Sequence, residues 1–220
     1  MPVYNEKRTI DLILERVRAV NIDKEIIVVD GNSINGTKEL LKKQEQYPDT
    51  TVIYESQKNG RGHALKTGIE NAKGDIIIFQ DADLELDPAD YPHLIKPIDE
   101  GKATVVFGSR FLRGKPKMGF LQYWGNRIIN TTVNLLYSTH LTDVETCYQV
   151  FKREAIKNIE IHNNDFAFTI ELTVKLIKSE YDILEIPITY IPRGREEGKK
   201  IYWKDGLVSL YTLIKYRFVD

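Results

Sequence analysis

"DIIIFQDADLELDP", residues 75–88, begins as a short apolar run and ends as a string of acids. Ile76 to Phe79 offer no polar face, and a strand apolar on both sides belongs in a sheet covered by helices on both sides. Asp81, Asp83, Glu85 and Asp87 then follow at alternate positions. Like charges two residues apart repel, so ion-pair stability does not explain them; they need a cation, or a strand end that faces water. Asp87 suits a helix N-cap and Pro88 a first helical residue, so the chain passes from strand through acidic loop into a helix over about 88–99.

The same unit recurs along the first half of the chain. Residues 25–30, 51–55 and 103–107 are β-branched or aromatic runs bounded by turn formers or charge, with helical patterns between them at about 6–20, 37–46 and 61–72. This alternation predicts an α/β fold with a mostly parallel sheet, helices on both faces and ligands bound beyond the carboxyl ends of the strands. Asp30 and Asp81 stand at two such ends. Farther on, the pattern predicts a helix over 120–137, a strand over 144–151, a helix over 166–178 and a strand over 183–191. In the tail, Leu207, Leu210, Leu213, Ile214 and Phe218 fall near helical spacing. The chain therefore divides into a domain over 1–202 and an amphipathic helix over 203–220. That helix either packs on the domain or lies on a bilayer with Lys204, Lys215 and Arg217 toward anionic lipid.

Of 220 residues 42% are hydrophobic, enough for one substantial core. Thirty-one basic against 32 acidic side chains leave a net charge of −1, which neither asks for nor excludes a polyanion, and no nucleic-acid partner is expected. The charge is segregated instead. Residues 75–90 carry six acids and no base, whereas 108–127 carry Arg110, Arg113, Lys115, Lys117 and Arg127 and no acid. Cys147 is the sole cysteine, which excludes an intrachain disulfide. With no signal-like start and no apolar stretch of about 18 residues, a soluble cytoplasmic protein is expected.

Asp81 and Asp83, at i and i+2, point to one side of an extended chain, and oxygen-only ligands suit Mg²⁺ or Mn²⁺, ions that keep coordination for substrate phosphates. Alone, an Asp-x-Asp pair is more often a solvated loop or a helix cap; the strand end, with Asp30 at another, reverses that. The glycines of Asn59-Gly60-Arg61-Gly62 enter a helix either as a plain loop or as one that brings backbone and Arg61 near an anionic ligand at the helix N-terminus. His63, His93, His140 and His162 show no metal-ligand spacing.

The ordered set of Pro2-Val3-Tyr4-Asn5-Glu6, Val28–Thr37, Gly60-Arg61-Gly62, Asp81-Ala82-Asp83-Leu84 and Gly108-Ser109-Arg110 resembles family 2 glycosyltransferases of the GT-A fold. Gly125-Asn126-Arg127, the stretch 141–148, Phe166-Ala167-Phe168 with Glu171, and 196–200 look like the branch that transfers sugars to dolichyl or undecaprenyl phosphate. The resemblance implies metal-dependent, inverting transfer of a hexose from a UDP- or GDP-sugar to a polyprenyl phosphate, at the inner face of a membrane with peripheral contact. It implies that Pro2, Tyr4 and Glu6 border the nucleotide, that Asp30 bonds the base, and that Asp81 and Asp83 take ribose and metal. Arg193, Lys199 and Lys200 would lie over the phosphates, and Arg61, by the reading of its own stretch, would lie near a bound anionic ligand at a helix N-terminus. Arg110 and Arg127 would lie on the acceptor side, with Asp143 as a base or acceptor-binding acid. The alternatives are a same-fold enzyme acting on a saccharide hydroxyl, and a nucleotide-sugar-binding module without turnover. A nucleotidyltransferase would want a Gly-rich basic loop after the first strand, which residues 2–6 do not supply.

Three departures bear on these expectations. Gly31 stands where relatives commonly have a second Asp, and Asn35 stands where an Asp is usual, so base and ribose contacts are expected to be thinner. Related chains also carry an apolar strand ahead of Pro-x-Tyr-Asn-Glu, so the first strand here is expected to be truncated at the centre of the sheet.

Overall fold

The structure, a computed structural model, describes residues 1–193 and 203–219. In chain order the elements are β1 (Pro2–Val3), α1 (Ile10–Ala19), β2 (Ile26–Asp30), α2 (Thr37–Gln44), β3 (Thr50–Tyr54), α3 (Arg61–Asn71) and β4 (Ile76–Ile78). They continue as α4 (Tyr91–Asp99), β5 (Val105–Ser109), α5 (Phe120–Tyr137), β6 (Gln149–Lys152), α6 (Arg153–Ile156), α7 (Ala167–Lys178), β7 (Ile183–Pro187) and α8 (Trp203–Phe218). Asp87 accepts from the Ala89 amide at 3.1 Å and opens a 3₁₀ turn over Pro88–Asp90, which leads into α4.

β1, β2 and β3 form a parallel sheet, and the remaining strands form a second sheet in the order β4-β6-β5-β7. There β4, β5 and β7 share a direction and β6 opposes them. A buried strand apolar on both faces reads alike in either direction, so the reversal of β6 had no sequence signal. The strand expected over 144–151 shrinks to β6 because Val144, Thr146 and Tyr148 are buried as a loop crossing the carboxyl end of the sheet. The strand expected over 183–191 ends at Pro187, after which the chain peels off to bridge Leu86 through Tyr190.

Helices cover both faces. Ile10, Ile13, Leu14 and Val17 of α1 pack with Leu41 of α2 and Leu94 and Ile98 of α4 against Val28, Val106 and Val150. Leu65 of α3 and Phe168, Leu172 and Leu176 of α7 pack on Ile77, Val105, Phe107 and Phe151. α7 then turns Ile170 and Val174 outward onto Ile129 and Val133 of α5 and Leu213 and Tyr216 of α8.

The first strand is short, as expected, but present. The Val29 and Gly31 amides donate to Met1 and Val3 carbonyls at 2.9 and 2.8 Å, and the Met1 amine donates to the Ile27 carbonyl at 2.7 Å. Beyond Met1, Ile26 and Ile27 of β2 and Ile76 to Phe79 line a slot of about 670 Å³. The Asp75 carbonyl accepts from the Arg153 amide just past β6 and the Phe79 amide donates to the Gln149 carbonyl of β6, so by antiparallel alternation the backbone polar groups of Ile76 and Ile78 face this slot instead.

Candidate active site

At the carboxyl ends of β1 and β4 the chain surrounds a cavity of about 430 Å³. Its floor is set from below by Gln80, whose Oε1 accepts from the hydroxyls of Tyr91 and Tyr148, both at 2.7 Å, while its Nε2 donates to the Asp81 carbonyl at 2.8 Å. Asp81 is thereby presented to the cavity on a fixed backbone. Arg61 meets it with a two-pronged contact, Nε to Oδ1 at 2.9 Å and Nη2 to Oδ2 at 3.2 Å, and also donates to Thr169 Oγ1 and Cys147 Sγ. Burial would raise the Asp81 carboxyl, but the Arg61 guanidinium holds it below its ordinary value.

The glycines beside Arg61 are required by packing. A Cβ on Gly60 would lie 2.3 Å from Asp165 Oδ1, and one on Gly62 would lie 2.7 Å from the Phe168 Cβ. α3 therefore starts against the 163–165 loop, itself held by buried Glu171, which accepts from the His162 and Asn163 amides at 2.9 and 2.8 Å. The close approach at these glycines is to the protein's own 163–165 loop, and the anion that Arg61 meets is the Asp81 side chain.

Asp83 differs from its neighbour. Burial and repulsion from Asp81 push its carboxyl up to about 7, against the pull of Arg193. Arg193 Nη2 reaches Asp83 Oδ2 at 3.0 Å and its Nη1 reaches Glu6 Oε2 at 3.1 Å, so one guanidinium bridges the loops after β4 and β1. It is placed there because the Ile191 amide donates to the Glu85 carbonyl and the Arg193 amide to Glu85 Oε1. Pro2, Tyr4 and Glu6 line the same cavity, and Lys58 sits 4.4 Å over the Tyr4 ring.

On the far wall stands Arg110. Its Nε and Nη2 donate to Asp143 Oδ2 and Oδ1, each at 2.7 Å, and its backbone amide donates to Oδ2 at 2.9 Å. Asn126 of α5 accepts from the same guanidinium at 3.0 Å, and Tyr190 lies beneath it. Asp143 is fully buried, and Glu185 of β7 holds its loop by accepting from the Thr142 and Asp143 amides.

The expected site residues thus fall into groups. Pro2, Tyr4, Glu6, Arg61, Asp81, Asp83, Arg110 and Arg193 share the cavity. Asp30 does not line it; buried beneath, its Oδ2 accepts from the Ser33 amide at 3.1 Å and holds the loop after β2. Arg127 is exposed on α5, Asp143 faces Arg110, and Lys199 and Lys200 lie outside the described residues. Sequence reasoning passed over Glu145, Cys147 and Tyr190, which also line the cavity. Glu145 and Cys147 were visible only as members of the 141–148 motif, since a loop buried across a sheet end has no periodicity.

Among the described residues no cluster of three or more His, Cys, Asp or Glu side chains could hold a metal by itself. The acids present suit a cation in another way: Asp83 and Glu6 already bracket a positive group, the Arg193 guanidinium, from two sides.

A family model described as "Glycosyl transferase family 2" matches residues 1–160. The chain is 28% identical over 228 residues to the low-salt glycan biosynthesis hexosyltransferase Agl6 of Haloferax volcanii, covering 99% of this chain and 54% of that protein. It is 26% identical over 231 residues to the dolichol-phosphate mannosyltransferase of Pyrococcus furiosus, covering 98% and 63%. The chain spans a little over half the length of these relatives. In fold it is similar to glucosyl-3-phosphoglycerate synthase from Mycobacterium tuberculosis with phosphoglyceric acid, at a TM-score of 0.77, 16% identity and coverage of 100% and 79%. The same synthase with Mn²⁺ and UDP-glucose gives a TM-score of 0.75, with 16% identity and coverage of 100% and 78%.

Proposed function

The chain belongs to glycosyl transferase family 2, and from that premise we propose that it transfers a hexose from a UDP- or GDP-sugar to a polyprenyl phosphate, with inversion. Pro2, Tyr4 and Glu6 border the nucleotide, over a loop that Asp30 keeps in place. Asp83, with Asp81 beside it, would hold Mg²⁺ or Mn²⁺ together with the donor diphosphate; the similar synthase described with Mn²⁺ and UDP-glucose supports this. The dication supplies positive charge where the leaving diphosphate gains negative charge. Arg193 leaves its two carboxylates and turns its fork to the phosphate oxygens, and Lys199 and Lys200 follow it in the chain.

The observation that carries the acceptor class is the pairing of Asp143 with Arg110. A hydroxyl acceptor must lose a proton as it attacks, whereas a phosphate monoester is largely ionised near pH 7 and asks only for cations. Asp143, the acid the family resemblance offers as base, spends both carboxylate oxygens on Arg110. Arg110 opens the acid-free basic stretch on the acceptor side that includes Arg127. One observation favours the second reading, a saccharide hydroxyl acceptor: Glu145 lines the cavity, where it accepts from Ser209 Oγ at 3.0 Å.

The discriminating experiment incubates the protein with labelled donor, Mn²⁺ and short polyprenyl phosphates, then extracts with organic solvent. Label in the organic phase, reduced in Arg127→Ala and retained within a few-fold in Glu145→Gln, supports the lipid phosphate. Label found only on added saccharides, and lowered about 10²-fold or more in Glu145→Gln, supports the hydroxyl reading.

A further inference from the structure

The strand order predicts where along the cavity each part of a nucleotide sugar falls. β1 pairs with β2 and lies beside β4 across the slot, and beyond β4 come β6, β5 and β7. Because β6 runs against β4 and β5, the loop that enters it, residues 143–148, sits at their carboxyl ends. A donor is a linear string of nucleoside, diphosphate and hexose. With the nucleoside at Pro2 and Tyr4 and the diphosphate at Asp83, the hexose falls over the entry loop of β6, before Arg110 at the end of β5.

That loop is built to hold a side chain still. Its residues alternate: Val144, Thr146 and Tyr148 are fully buried, while Glu145 and Cys147 line the cavity. The Val144 amide donates to Asn130 Oδ1 at 3.0 Å, and Glu185 takes the Thr142 and Asp143 amides. Cys147 Sγ is a weak acceptor and already receives Arg61 at 3.3 Å. Glu145 is the strong acceptor on this loop. Ser209 of α8, 3% exposed, donates to Glu145 Oε1 at 3.0 Å from 64 positions along the chain. Neighbouring turns of α8 are tied down as well, since the Leu213 carbonyl accepts from the Tyr137 hydroxyl at 2.7 Å and the Tyr216 carbonyl from Lys178 Nζ at 3.3 Å. A carboxylate has about four acceptor positions, so the Ser209 bond fixes its orientation and leaves capacity for a ligand. Sugar hydroxyls are donors, and two on adjacent carbons match the two oxygens of one carboxylate.

We infer that Glu145 reads the transferred hexose by accepting from two neighbouring sugar hydroxyls, and that Ser209 of the tail helix is its positioning residue. This assignment rests on the donor half of the proposed function and is independent of the acceptor. It also differs from a base role for Glu145: a Gln keeps an acceptor oxygen for the sugar but takes no proton.

The test is calorimetry with Mn²⁺ and no acceptor, comparing UDP with UDP-glucose and GDP with GDP-mannose. In Glu145→Leu the affinity for the nucleotide sugar should fall about tenfold or more relative to that for the matching diphosphate, whose own affinity stays within about twofold. Glu145→Gln should keep most of the ratio. Ser209→Ala should lower it about threefold and Ser209→Thr restore it, with thermal midpoints near the parent's. An equal loss on diphosphate and sugar, or a Leu variant with the parent's ratio, overturns the inference; a Thr variant as poor as Ala overturns the role of Ser209. A parent that binds none of the four ligands sinks the donor reading and this inference with it. An organic-phase assay that fails beside the expected ratios sinks the lipid acceptor alone.

Discussion

Asp143→Asn should destabilise the protein far more than it changes the chemistry. Asp143 is fully buried and its partner Arg110 is 9% exposed at the side chain, with two side-chain bonds of 2.7 Å between them. Removing one member of a buried pair leaves the other charge unpaired and costs about 3–5 kcal/mol. Asn126 at 3.0 Å and the Tyr190 ring still serve Arg110, so the lower end, about 3 kcal/mol, applies here. For a chain of this size that lowers the thermal midpoint by roughly 6–12 °C. Urea and thermal unfolding at pH 7.5 measure it, and Arg110→Met with Asp143→Leu, which removes both charges, should recover part of the loss. The acceptor reading adds that Asp143→Asn, assayed well below its midpoint, keeps the shape of the parent's pH–rate profile. A loss of stability under about 1 kcal/mol, or turnover that loses the acid-side limb of its pH–rate profile while the fold stands, would refute the positioning role and return Asp143 to the role of base.

Asp83→Ala should abolish Mn²⁺-dependent binding of UDP- and GDP-sugars in calorimetry; binding of the parent that is equal in EDTA would remove the metal from the site. Gly62→Ala forces a methyl to 2.7 Å from the Phe168 Cβ and 2.8 Å from the Asn164 backbone, so an overpacking loss of about 1–3 kcal/mol is expected in urea melts.

Strands and helices were legible because their signals are local. Ile26–Asp30 and Ile76–Ile78 are apolar on both sides, Asp87-Pro88 is a cap by its own chemistry, and the acids after β4 stand at a strand end whatever surrounds them. The motif order was likewise readable along the chain, and the family match over residues 1–160 agrees with it. Direction and partnership were not. β6 runs against its neighbours because of how the chain returns from α5, and no residue in Gln149–Lys152 records that. Asp81 and Asp83 look alike in sequence, yet Arg61 holds one carboxyl down while burial and its neighbour push the other up. Arg110 and Asp143, 33 positions apart, meet only because β5 and the loop held by Glu185 converge at one end of the sheet. A charge's role depends on what lies within a few ångströms, and those neighbours come from distant parts of the chain. Only folding brings them together.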